Sequence, residues 1–233
     1  MIPFSDENPA RLAPYVTIAI IVLCVLAFLW ELALWGRMDE ALTAFGFTPN
    51  AFAHPQGAQY VGLGLPVWTT ILTSMFLHAG FLHIGGNMLY LWIFGNNVED
   101  AMGHAKFTVF YLVCGAVACL TLAAIDPHST TPVVGASGAI SGVLGAYMLL
   151  YPRARVTVII PLGIIFWPLR INAVWVVGIW FLMQLFSAGA FAVTAGSSDG
   201  GGVAFAAHVA GFLIGMAGVL VFRKRESLDA RWV

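Results

Sequence analysis

Six apolar runs, each about 15 to 22 residues long, follow one another along this chain and constrain it more than any other feature. They cover 14–35, 81–98, 107–124, 137–151, 172–190 and 203–222. A bilayer core about 30 Å thick is crossed by about 20 apolar residues in a helix. Within it, backbone groups must pair inside the segment, so such runs fold as a helix bundle. Charge agrees. Only 9% of the 233 residues are charged and 60% are hydrophobic, whereas soluble domains carry about 25% charge. That excludes a soluble enzyme, a disordered chain and a nucleic-acid binder, and a net charge of −1 provides no field for steering. The expected fold is an all-α membrane protein: one domain over 1–233, six transmembrane helices and a short tail at 223–233. Cys24, Cys114 and Cys119 lie inside apolar runs and read as packing residues, not a disulfide framework.

Six spans put both chain ends on one side. Arg11, Lys106, Arg153, Arg155, Arg170, Arg223, Lys224, Arg225 and Arg231 fall on that side, and of the basic residues only Arg37 falls opposite. By the positive-inside rule both termini are cytoplasmic. A further apolar run, 156–168, holds Pro161 and Pro168. It is too short to span and predicts a re-entrant or interfacial hairpin. The loop 36–77 is external, and Phe45, Phe47, Phe52 and Trp68 place it in the membrane interface. The second long external stretch, 189–202, contains AGSSDGGG and reads as flexible.

Polar residues inside spans are functional candidates. The second run opens with His78, His83 and Asn87, the fourth with Ser137 and Ser141, and the sixth with His208. All three clusters fall at external span ends. The fourth run is short, about 22 Å of helix, so Ser137 lies several Å below the outer surface. His208 stands about 21 Å above the cytoplasmic end of its run, at a matching height. Gly138 and Gly142 are four apart, as are Gly211 and Gly215. Small residues at that spacing let two helices approach closely, beside both the serine and the histidine. A serine in a glycine-rich helix, taken alone, is most often a packing residue. The coincidence of these features at one depth favours a Ser137–His208 nucleophile–base pair. His83 and Asn87 share a helix face and suit two donors to one oxyanion. Asp126 and Asp199 fall in external loops, and Glu99 and Asp100 are cytoplasmic. The base therefore lacks an acidic partner, which implies a dyad.

These motifs resemble those of the rhomboid family of intramembrane serine proteases. The likeness runs from about Trp68 to Phe222. Gly135-Ala136-Ser137-Gly138 matches G-x-S-G, His83 to Asn87 matches H-x-x-x-N, and Ala207 to Gly215 matches A-H-x-x-G-x-x-x-G. His78 matches the family's upstream histidine. The resemblance implies a six-span core with a membrane-embedded first external loop. It implies Ser137 as nucleophile, His208 as base, and an oxyanion hole of His83, Asn87 and the Ser137 N–H. It also implies a gate formed by the fifth span and the 189–202 cap. Three positions depart from the family pattern: Thr69 follows Trp68 where many members have arginine, Gly86 stands where some have phenylalanine, and Ser141 stands where many have an aromatic ring stacked on the histidine.

The leading expectation is a serine endopeptidase that cleaves single-pass transmembrane substrates near their external ends. Its partners are a transmembrane protein substrate and the lipid bilayer, with no nucleic acid, cofactor or metal. The chain shows no large soluble domain and no transit peptide, so a multi-pass protein of a prokaryotic plasma membrane is expected. A catalytically silent rhomboid-like binder of transmembrane helices and a small-solute transporter are the alternatives. A membrane metalloprotease would need a glutamate near His78 or His83, and there is none. Labelling of Ser137 by a fluorophosphonate separates the protease from the other readings.

Overall fold

No proline interrupts any of the six long helices; Pro14 stands just before the first, and Pro127 and Pro152 stand just after two others. Proline cannot continue a helix, so these residues punctuate the apolar runs. The computed structural model describes residues 2–54, 60–162, 165–194 and 201–224. Strand β1 (Ile2–Asp6) precedes helix α1 (Tyr15–Ala33). Between it and the next long helix lie α2 (Met38–Phe45), α3 (Pro49–Ala53), the strand pair β2 (Tyr60–Val61) and β3 (Leu65–Pro66), and α4 (Thr70–Thr73). Then come α5 (Phe81–Met102), α6 (His104–Ile125) and α7 (Ser137–Leu150). Strands β4 (Arg155–Leu162) and β5 (Ile165–Asn172) lead into α8 (Ala173–Thr194) and α9 (Gly201–Phe222).

Among the described residues, α1, α6 and the Phe205–Phe222 part of α9 are long and apolar enough to cross a membrane. The α7 helix and the Ala173–Ser187 part of α8 are shorter apolar helices. The outer surface is itself apolar. Val22, Leu26 and Leu29 of α1 are exposed, as are Leu182, Met183 and Phe186 of α8. A continuous apolar exterior is what a bilayer, not water, accommodates.

The all-α expectation needs correction at one end of the molecule. The 156–168 run does form a hairpin, but it is the antiparallel pair β4–β5, and β1 adds to β4 as a third strand. Val156 and Val158 point inward and are fully buried, the two-residue period of a strand. Pro168 lies on β5, an edge strand of this sheet, where a missing N–H is tolerated. The Asp6 carboxylate, at the end of β1, accepts bonds from Tyr147 Oη at 2.6 Å and Asn97 Nδ2 at 2.8 Å. Burial pushes its pKa above the ordinary carboxylate value, with the Tyr147 bond pulling the other way. Two other expectations meet the limits of the description. The 189–202 stretch is helical at both ends, and its middle, 195–200, lies outside the described residues. Most of the 223–233 tail does too.

α7 occupies the middle of the bundle, against α5, α6 and α9. Its contact with α9 is the most extensive between any two described helices. Backbone meets backbone there. A Cβ on Gly211 would run into the Gly138 carbonyl, one on Gly215 into the Gly142 carbonyl, and one on Gly145 into the Phe212 carbonyl. Beside that contact, Cys114 of α6 fills the space next to Gly142, where a Cβ would meet both its sulfur and the Gly211 carbonyl. Hydrophobic driving force is absent between helices in lipid, so this close van der Waals fit holds the pair together. Gly142→Leu should therefore lower stability by about 3 kcal/mol or more, read as a lowered Tm with parallel loss of activity. A Gly142→Leu protein as stable as the parent would show that this face is not the essential contact.

Candidate active site

Ser137 is the first residue of α7, and the backbone leading to it is fixed from the segment between α1 and α5. Phe47 and Val133 exchange both backbone hydrogen bonds, at 2.9 and 2.8 Å. Two residues on, the Gly135 N–H donates to the Ser74 carbonyl at 2.8 Å. Gly135 has φ +120°, which favours glycine. The chain then turns into α7 with the Ser137 side chain facing α9. The N–H groups at this helix start have no partner within the helix, and the macrodipole is positive there.

The close approach of α7 and α9 places His208 Nε2 2.7 Å from Ser137 Oγ. The other ring nitrogen, Nδ1, lies 2.8 Å from Gln184 Oε1 on α8. An amide oxygen only accepts, so this contact favours the tautomer with its proton on Nδ1, which leaves Nε2 able to take the serine proton. Trp180 and Phe205 flank the imidazole, with ring centroids 6.1 and 6.3 Å away. Ser141 Oγ does not reach the imidazole; it donates to the Ser137 carbonyl at 2.6 Å. That is the i to i−4 bond open to any helical serine.

His83 and Asn87 both face Gly135. A Cβ on Gly135 would lie 2.6 Å from His83 Nε2 and 3.6 Å from Asn87 Nδ2. His83 Nδ1 accepts the Ala79 N–H at 3.4 Å, which leaves the neutral ring's proton on Nε2, pointing toward the site. Asn87 Nδ2 is buried and has no hydrogen-bond partner among the described residues. His78 is fully buried, edge-on to His83 at 5.1 Å. Its Nδ1 lies 3.2 Å from the Phe76 carbonyl, and its N–H donates to Glu31 Oε1 at 3.2 Å. A cavity of about 140 Å³ opens beside Ser137, His83 and His208, lined also by Ser74, Cys119 and Val133.

The structure thus brings Ser137, His208, His83 and Asn87 together, with Gly138, Gly142, Gly211 and Gly215 at the helix contact behind them. His78 sits one layer further back, under His83. The sequence reading missed two residues. Gln184 lies in an apolar run whose other side chains mask it, yet it is the one side-chain amide in the α8 sequence. Glu31 is a carboxylate inside the first apolar run, and that reading looked for acids only in the later spans. Among the described residues, no group of three His, Cys, Asp or Glu side chains is placed to hold a metal ion.

A serine and a histidine within hydrogen-bond reach inside an apolar helix bundle have the geometry of a nucleophile and its base. Comparison with known proteins narrows the reading. The family model for the Rhomboid domain matches residues 66–225, and the chain belongs to the rhomboid family, whose members are integral membrane proteins and usually intramembrane serine proteases. It is 34% identical over 145 residues to "Rhomboid protease GluP" of Bacillus subtilis (strain 168), an alignment covering 62% of this chain and 25% of that protein. It is 32% identical over 152 residues to "Rhomboid protein 1, mitochondrial" of Saccharomyces cerevisiae, covering 63% and 40%. "RHOMBOID-like protein 6, mitochondrial" of Arabidopsis thaliana is 32% identical over 121 residues, covering 47% and 39%. The chain thus spans well under half the length of these relatives.

Gly135→Ala should separate the site's two halves. The added methyl meets His83 Nε2, and the left-handed backbone is strained by about 1–3 kcal/mol. Turnover should be lost while the protein stays folded, with a Tm only a few degrees lower. Full activity in Gly135→Ala would mean that His83 is not needed where it sits.

Proposed function

We propose that this chain is an intramembrane serine endopeptidase working through a Ser137–His208 dyad. The observation that carries this reading is the 2.7 Å contact between Ser137 Oγ and His208 Nε2, with Gln184 Oε1 2.8 Å from Nδ1 as an acceptor for the ring proton. Ser137 Oγ attacks the scissile carbonyl carbon and passes its proton to His208 Nε2. The carbonyl oxygen becomes an oxyanion, which accepts bonds from His83 Nε2–H, Asn87 Nδ2–H and the Ser137 N–H. As the C–N bond breaks, His208 returns the proton to the leaving amine. Water then attacks the acyl-serine, with His208 again taking a proton, and Ser137 is released.

The substrate in this reading is a single-pass membrane protein. The helices α1, α5, α6, α7, α8 and α9 are the six spans, with both termini cytoplasmic in a prokaryotic plasma membrane. The segment 36–77 is the membrane-embedded external loop, and α8 with the following cap forms the gate. α7 has 14 residues, about 21 Å of helix, so Ser137 stops short of the outer surface. A helix whose peptide bonds are all internally paired cannot present a carbonyl. The substrate must unwind near its external end, where glycine or proline makes unwinding cheap.

Ser137→Ala and His208→Ala should each abolish cleavage and leave the fold intact. The double variant should be no worse than either single one, because the two residues act as a unit. Turnover above background in purified Ser137→Ala would remove the serine mechanism. Asn87→Ala should lower kcat by about 10²–10³-fold, the usual cost of one oxyanion donor. Steady-state kinetics on a model span with a Gly-Pro pair near its outer end would test both. An effect of Asn87→Ala on KM alone would contradict the assignment.

A further inference from the structure

We propose that Gln184 is the positioning residue of the catalytic base, filling with a neutral amide the place that an acid takes in a triad. The inference rests on the serine-protease reading above. His208 can accept the Ser137 proton only through an unprotonated Nε2. The neutral ring has one proton, so Nδ1 must carry it and must have an acceptor on that side. The described residues supply one, Gln184 Oε1 at 2.8 Å. Gln184 exchanges no proton. It accepts the Nδ1–H bond before, during and after transfer, and so fixes both the tautomer and the ring plane.

Packing sets the height of the amide. Phe181 of α8 stacks on Phe212 of α9, with centroids 4.3 Å apart and planes at 23°. Gln184 lies three residues after Phe181, and His208 four before Phe212, so both stand on the same helix faces as that stack. The Trp180 ring neighbours both Phe212 and the His208 ring, with centroids 6.3 and 6.1 Å away. An amide suits this depth better than a carboxylate, because it offers an acceptor without a charge to bury. Without that acceptor, Nδ1–H is buried unpaired. The ring then turns, or its proton moves to Nε2, where it faces the serine hydroxyl and blocks transfer.

The test compares Gln184→Met, which keeps shape but removes the acceptor, with Gln184→Glu, which keeps an oxygen at the same reach. Gln184→Leu replaces Gln184→Met if that variant misfolds. Each full-length purified protein is assayed for kcat and KM on the Gly-Pro model span, for the rate of fluorophosphonate labelling of Ser137, and for Tm. Gln184→Met should lower kcat about 10- to 100-fold, less than the about 10⁴-fold cost of a lost triad carboxylate. KM should change less than about twofold, and labelling should slow in step with kcat. Gln184→Glu should recover most of both rates. Unchanged kcat and labelling in Gln184→Met would overturn the inference, as would a change confined to KM, which would make Gln184 a substrate contact. Failure of Gln184→Glu to restore the rates, with Tm lowered equally in both, would reduce the residue to packing. Cleavage that survived Ser137→Ala would remove the serine mechanism and this inference together. A serine-dependent enzyme indifferent to Gln184→Met would remove the inference alone.

Discussion

The backbone-to-backbone contact between α7 and α9 is the constraint on which the rest depends. Ser137 and His208 are 71 positions apart in sequence, and nothing local brings them together. They meet because Gly138 and Gly142 on one helix oppose Gly211 and Gly215 on the other, leaving no room for a side chain between. In lipid, apolar side chains gain little by leaving one apolar medium for another, so helix pairing depends on contact area at short range. Glycine sacrifices helix propensity, about 1 kcal/mol per residue, for that approach. One helical turn separates each glycine pair from the next. The serine and histidine just beyond the last pair are therefore held at the same height by the same contact that binds the helices.

Charged and polar groups buried in this apolar bundle act mainly as ties between elements. α1 begins after Pro14 with no side-chain cap of its own. Its exposed donors are met instead from α5, where buried Glu99 accepts from the N–H groups of Val16 and Thr17 at 2.9 and 2.8 Å. Glu99 also accepts from Thr17 Oγ1 at 2.6 Å and contacts His104 Nδ1 at 2.6 Å. Near the other end of α1, Glu31 holds the backbone at His78. Asp6 fastens β1 to α7 and α5. Glu99 and Asp6 each accept bonds from more than one donor, and Glu31 shares the single His78 N–H between its two oxygens; such pairing offsets the cost of burying a carboxylate. Together they fix α1, the His78 turn and the β-sheet around the α5–α7–α9 core.

What the sequence made legible follows from the strength of each periodic signal. Long proline-free apolar runs, glycines four apart and polar residues at the external ends of the second, fourth and sixth runs were readable because helix geometry repeats. Hence the helices, the glycine contact and the serine–histidine approach could all be anticipated. The β-sheet leaves no comparable repeat in the sequence. The run 156–168 is apolar on both faces, so its length and prolines excluded a span without choosing strand. The pairing of β1 with β4 joins residues 150 or more positions apart, and five N-terminal residues carry no pattern that announces a partner. Gln184 was hidden for a different reason. An amide in an apolar helix has many uses, and only the position of α8 against α9 shows which imidazole it faces.

The two sides of the site are built from different kinds of contact. On one side α6, α7 and α9 meet through glycines and small residues, where a displacement of even 1 Å creates a clash or a void. On the other, α8 meets α9 through the rings of Trp180, Phe181 and Phe212 and the single amide of Gln184. Aromatic contacts tolerate sliding better than apposed backbones do. Across from α8, Gly85 and Gly86 of α5 have open space where a Cβ would stand, and Tyr90 reaches Trp180 only at 6.4 Å. In the proposed reading, with a substrate admitted between α5 and α8, the glycine side would stay fixed and the aromatic side would yield. Gln184 rides on the yielding helix. Displacing α8 would take the acceptor from His208 Nδ1, and the return of α8 would restore it. The nucleophile would then be activated only when the helix beside it has closed, so a water molecule reaching an open site would meet a histidine not yet set to deprotonate the serine.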